Sequence, residues 1–166
     1  MAAIITSRPN VPEEVIIGTQ IWMKRNYDFG GTHPDNVYDN INDYGKLYTW
    51  DEAMAINLSG WHLPTNTEIN ILRSYVGTNA TAGGYLKEIG TDHWLTPNTD
   101  ATDTVGFNAR GAGNNEINFK SSTFFWSSTE FDADEAWCLR LDYNNAAAVE
   151  GVALKIFRFS VRLIKD

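Results

Sequence analysis

Apolar and polar positions alternate most regularly toward the C-terminus, where four β-rich runs separated by short polar breaks predict strands at Phe124–Ser128, Ala136–Asn144, Ala147–Leu154 and Phe157–Ile164. Side chains on a strand point to opposite faces in turn, so two of these runs divide into an inner and an outer set. Trp137, Leu139, Leu141 and Tyr143 make an apolar set, leaving Cys138, Arg140, Asp142 and Asn144 opposite. In the last run Phe157, Phe159, Val161 and Leu163 are apolar, and Arg158, Ser160 and Arg162 face the other way. The apolar sets predict core; the polar sets are what a partner would meet.

Upstream the period changes. The run from Val15 to Lys24, broken at Gly18-Thr19, predicts two short strands around a turn. Asn26 to Tyr44 is rich in Gly, Asp and Asn without a sustained period and reads as a long surface loop. Thr49 and Glu52 have the spacing in which two side chains satisfy free N–H groups at a helix start, and Trp50, Ala53 and Met54 share one face of the helix that follows, with Gly60 ending that element. Thr65 and Glu68 repeat the spacing, and Ile69, Leu72, Tyr75 and Val76 fall at helical intervals before Gly77, a residue suited to a left-handed C-terminal turn. Residues 78–120 are dominated by Asn, Thr, Gly and Asp, with apolar islands at Tyr85-Leu86, Trp94-Leu95 and Phe107, and long irregular segments of this kind tend to carry shape or function. The chain therefore reads as a tail or connector over residues 1–13 and one domain over 14–166, its fold starting near Val15.

With 166 residues, 43% of them hydrophobic, the chain can bury a core of its own. The formal charge of −8 and the lack of any basic run argue against a nucleic-acid partner, although Lys155, Arg158, Arg162 and Lys165 leave a local cationic lean near the end. Cys138 is the single cysteine, so packing rather than a disulfide has to hold the fold, and no cysteine-based zinc or dithiol site can be built. No apolar run approaches the ~18–20 residues that span a bilayer, and Met1 to Pro12 lacks the apolar centre of a signal peptide, so no membrane insertion is expected.

Six phrases together resemble the Fibrobacter succinogenes major paralogous domain, a bacterial branch of the C-type-lectin and formylglycine-generating-enzyme fold. They are the segments 17–23 (IGTQIWM), 44–50 (YGKLYTW), 60–64 (GWHLP), 106–109 (GFNA), 125–130 (FWSSTE) and 159–162 (FSVR), in the family's order, from about Ile16 to Lys165. The resemblance implies an α+β, C-type-lectin-like fold: two helices packed on a small twisted antiparallel sheet, with long irregular loops over one side. It also implies display outside a bacterial cell or on a phage tail. A narrower resemblance is to the variable proteins of diversity-generating retroelements, which vary a patch between a Trp-Ser-Ser-Thr-Glu block and a closing Ser-Val-Arg-like strand. Both flanks are present, and residues 144–158 between them are chemically miscellaneous.

Other chemistry is weaker. An oxidase of the formylglycine-forming kind needs a reactive cysteine pair that is missing, and Cys138 reads as a small strand residue. His33, His62 and His93 lie far apart without metal-ligand spacing, His62 falls inside a structural phrase, and no Gly-x-Ser-x-Gly elbow marks a hydrolase. Asp132, Asp134 and Glu135 could offer calcium hard oxygens, but lack an EF-hand spacing; the Glu-Pro-Asn and Trp-Asn-Asp motifs of calcium-dependent lectins are also missing, and a solvated acidic loop fits better.

These readings converge on a non-catalytic ligand-binding domain, with no metal or cofactor, whose partner is a protein or a glycan. Its expected contact patch is Trp126, Arg140, Asp142, Tyr143, Asn144, Glu150, Ile156 and Arg158, since Trp, Tyr and Arg dominate interface energies; Trp126 and Tyr143 fit a core equally well. An enzyme on the formylglycine-generating fold, a calcium-dependent lectin and a purely structural surface module are the competing readings.

Overall fold

A computed structural model describes residues 12–28, 44–114 and 117–166. The β-branched run after Glu13 forms the expected hairpin, β1 (Glu14–Ile17) and β2 (Gln20–Met23), in antiparallel register from Glu14 opposite Met23 to Ile17 opposite Gln20. The chain is already tied in at Glu13, whose carbonyl accepts from the Lys24 N–H at 2.8 Å. Most of the predicted tail (1–11), most of the predicted loop (29–43) and His33 lie outside the described residues.

After β3 (Leu47–Tyr48), Thr49 caps α1 (Trp50–Met54) and Thr65 caps α2 (Asn66–Val76), with β4 (Trp61–His62) between them. Both capping boxes are closed in both directions: Glu52 Oε2 accepts from the Thr49 N–H at 2.9 Å and Glu68 Oε2 from the Thr65 N–H at 2.7 Å. The reason for Gly77 differs from expectation. Its φ of 174° is extended rather than left-handed, and what favours glycine there is space, since a Cβ would stand 2.7 Å from Thr81 Oγ1 and 3.1 Å from the Tyr85 ring and would force those side chains to shift. A third helix, α3 (Ala82–Leu86), interrupts the segment that reads as irregular; two adjacent glycines hide it from a propensity argument.

The C-terminal runs become β5 (Ser122–Glu130), β6 (Glu135–Asp142) and β7 (Ala148–Leu154), and the last run divides into β8 (Phe159–Ser160) and β9 (Ile164–Lys165). Instead of one sheet there are two, ordered β1-β2-β9-β4 and β3-β8-β5-β6-β7, antiparallel except for the parallel β5–β8 pair. The architecture is α+β. The last run divides because the chain crosses between sheets at Val161 to Leu163, where the Val161 carbonyl accepts from the Tyr27 N–H and the Leu163 carbonyl from the Met23 N–H.

Arg162 pins that crossing. Predicted to face outward, it is 2% exposed: Nε and Nη2 donate to Asn26 Oδ1, Nη1 to the carbonyls of Met23 and Phe107, and the guanidinium lies 4.3 Å from the Phe107 ring centre. Burial pulls its pKa down to about 9. Burying such a cation costs several kcal/mol, which only a full set of acceptors offsets.

Around β5 and much of β6 the second sheet is covered on both faces, so strict alternation of inside and outside fails there. Leu139 and Leu141 join Phe125, Ile69, Leu72 and Trp22 in one core, while Ala136 and Cys138 join Trp126, Phe159, Trp50 and Leu63 in a second. This corrects the expectation that Cys138, Asp142 and Ser160 face a partner; all three are buried.

Candidate functional site

Register places one set of side chains on a common face of the second sheet. Phe124 stands opposite Arg140 and Trp126 opposite Cys138 on β5–β6, and Arg140 stands opposite Val149 and Cys138 opposite Gly151 on β6–β7. These residues share one face of the sheet. At its β5 side Trp126 is sealed over by Phe159, ring centres 4.3 Å apart; toward β7 the cover stops. What remains is a half-open groove of about 450 Å³ whose lining includes Phe124, Arg140, Val149, Gly151 and Phe157.

Of the eight residues expected to form the patch, Arg140 alone lines this groove. Its side chain is 49% exposed; Nε donates to Asp142 Oδ1 at 2.9 Å, and the guanidinium lies 5.7 Å from the centre of the Phe124 ring. Asp142 is a support rather than a contact: it is buried, and the same oxygen accepts from Ser122 Oγ at 2.6 Å. Trp126 is a core residue at 0% exposure, its Nε1 donating to the Tyr48 carbonyl at 2.8 Å, so it cannot meet a ligand. Tyr143 is half-buried against the first core, and its carbonyl accepts from the Thr99 N–H.

Glu150 stands on the opposite face, where it accepts from Asn66 Nδ2 at 2.7 Å and Arg73 Nη1 at 2.9 Å; the Asn66 bond, then that of Arg73, hold its carboxyl below the usual range despite partial burial. Arg158 is half-buried, with Nη1 donating at 2.9 Å to Glu52 Oε2, the carboxylate that caps α1. Asn144 and Ile156 are exposed in the turns before and after β7. The expected patch is thus dispersed over both faces and the turns.

Sequence reasoning missed Phe124, Val149, Gly151 and Phe157. A glycine in the middle of a strand was the available signal, because such a glycine marks a bulge or a close approach of something else. The hairpin carrying the groove is held from behind by Lys87, wholly buried in the segment that reads as irregular. Its Nζ donates to the carbonyls of Thr99, Asp142 and Asn145 at 3.0, 2.9 and 2.8 Å, and burial pulls its pKa down to about 8.

The groove offers little reactive chemistry. Burial pushes the Cys138 thiol up to about 12, against the pull of Arg140, so it stays protonated. His62 lies 2.7 Å from Asp166 and 3.0 Å from Glu68, and His93 bonds Glu88; neither histidine lines the groove. Asp132 uses Oδ1 to accept from the N–H groups of Asp134 and Glu135, closing the β5–β6 turn. Among the described residues, no group of three or more His, Cys, Asp or Glu is placed to hold a metal ion, and no helix is long and apolar enough to cross a membrane.

Fold and face together define an α+β domain whose second sheet is sealed at one end and open at the other over a groove of mostly aromatic and aliphatic side chains, with Arg140, Glu135 and Asn114 among them. The chain belongs to the Fibrobacter succinogenes major domain family, whose model matches residues 15–165. Comparisons with curated proteins and with solved structures each found no match.

Proposed function

We propose that the chain is a non-catalytic recognition domain of the C-type-lectin-like fold, displayed outside a bacterial cell or on a phage, that takes its ligand in the β5–β6–β7 groove. The groove is the observation that carries this: a mostly apolar hollow, with the half-exposed Arg140 and with Glu135 and Asn114 in its lining, has the composition of a contact surface. Indole titrated into ¹⁵N-labelled protein is expected to shift the amides of Cys138, Arg140, Val149 and Gly151. Shifts gathered on another face, or none at all, contradict the proposal.

The division of burial supports the narrower kinship with diversified proteins. The flanking phrases are structural, with Trp126, Phe159 and Arg162 at 0, 2 and 2% exposure, whereas Val149, Val152, Leu154 and Ile156 between them stand at 42, 38, 39 and 73%. Such an arrangement lets residues change without loss of the scaffold. An adenine-rich near-copy of the DNA encoding residues 126–164, beside a reverse transcriptase, is expected in the genome; a neighbourhood without one removes diversification and leaves the groove.

A further inference from the structure

Two features of the groove lack a structural reason. Gly151 sits mid-strand outside the left-handed region, so its backbone admits any residue, and a Cβ built there meets only Cys138 Sγ, at 4.0 Å. Neither conformation nor crowding requires glycine, yet a side chain there would fill the floor. Arg140 is the second: Nε is fixed by Asp142 and the guanidinium is propped by Phe124, while its two terminal amino groups donate to no group among the described residues. A guanidinium held by one edge, with its other edge turned to a hollow, matches the two oxygens of a carboxylate.

Register fixes the distance between the two features. Arg140 is opposite Val149, so Gly151 is its diagonal neighbour, about 7–8 Å away. In an extended chain, side chains on one face recur every second residue, about 7 Å apart. We infer that the groove takes an extended peptide segment of a partner protein in which an acidic and a bulky apolar residue stand two positions apart, the carboxylate on Arg140 and the apolar group over Gly151. This rests on the recognition reading above. Charge and shape favour a peptide over the other occupants: the hollow is open along one side, so a small molecule such as indole is only partly covered there whereas an extended segment lies along it, and a second copy of the chain brings a formal charge of −8 to one of the same sign.

The test is a selection of displayed random octapeptides against the full chain, followed by titration of one enriched peptide and its Glu→Gln or Asp→Asn form. Enriched peptides are expected to carry an acid two positions from Trp, Phe or Leu, and the amide form to bind about tenfold more weakly. Arg140→Gln should erase that difference. Gly151→Val should abolish binding with the melting temperature kept; should it fail to fold, Gly151→Ala, whose methyl fits the space present, should weaken binding and leave the fold intact. Enriched peptides without the spacing, acid and amide forms that bind alike, or affinity unchanged in the glycine variants overturn the inference, while indole shifts in the groove would still sustain the recognition reading. Self-association of the wild type that Gly151→Val removes would seat a second copy there and overturn it as well.

Discussion

At the scale of single residues, burial and pairing separate those that hold the fold from those left open at the groove. Trp126→Ala removes a wholly buried indole and leaves the Tyr48 carbonyl without its donor, so a loss of about 3–5 kcal/mol is expected in denaturant unfolding. Arg162→Leu strands the buried acceptors of Asn26, Met23 and Phe107 and is expected to cost about as much, roughly 3–5 kcal/mol. Arg140→Gln removes the cation from a pair whose other member, Asp142, is buried but keeps its Ser122 donor, so a loss of about 1–2 kcal/mol is expected. Alternation along β6 identified Leu139 and Leu141 as core and Arg140 as exposed, but it placed Cys138 and Asp142 outside. Alternation implies a half-buried strand, whereas β6 lies between two cores, and one-dimensional pattern does not say how many faces of a sheet are covered.

At the scale of elements, α2 was legible because its start is a local chemical device, and Thr65→Ala, which removes the acceptor for the Glu68 N–H, is expected to cost about 1 kcal/mol. The short β8 and β9 read as one run because their division depends on a crossing between sheets that no local period encodes. The same crossing places β9 against β4, where His62 bridges Glu68 of α2 and Asp166 beyond β9. Burial opposes protonation of His62, but the hydrogen bonds of Asp166 and Glu68 outweigh it and raise its pKa. Burial likewise opposes ionisation of Glu68, and its bonds with Thr65 and His62 outweigh that and lower its pKa. The folded state thus holds the imidazole proton more tightly than the unfolded chain. This contribution is complete below the ordinary histidine value of about 6.5 and is lost as pH rises through the raised folded value. Glu68 behaves oppositely, contributing above the usual glutamate value of about 4.3 and losing its share as pH falls through the depressed one. Melting curves across pH should show the staple strongest between those limits, and His62→Asn should flatten the upper side; an unchanged profile in that variant contradicts the assignment.

At the scale of the whole molecule, the phrases that place the chain in its family are largely core. Trp22, Leu63, Phe107, Trp126, Phe159 and Arg162 are all buried, which is why fold class was legible and the proposed groove was not. A ligand face is defined by what it leaves uncovered, and neither the gap over Gly151 nor the unpaired edge of Arg140 has a signature in composition. The central claim is a division of roles: sealed flanks hold a sheet whose outer hairpin is free to change. It is tested most directly by saturation substitution at Val149, Val152, Leu154 and Ile156 and, in parallel, at Trp126, Phe159 and Arg162, with the folded fraction of each variant read by its resistance to protease. Most substitutions in the first group should leave the protein folded and few in the second should do so; equal intolerance in both groups would contradict the account.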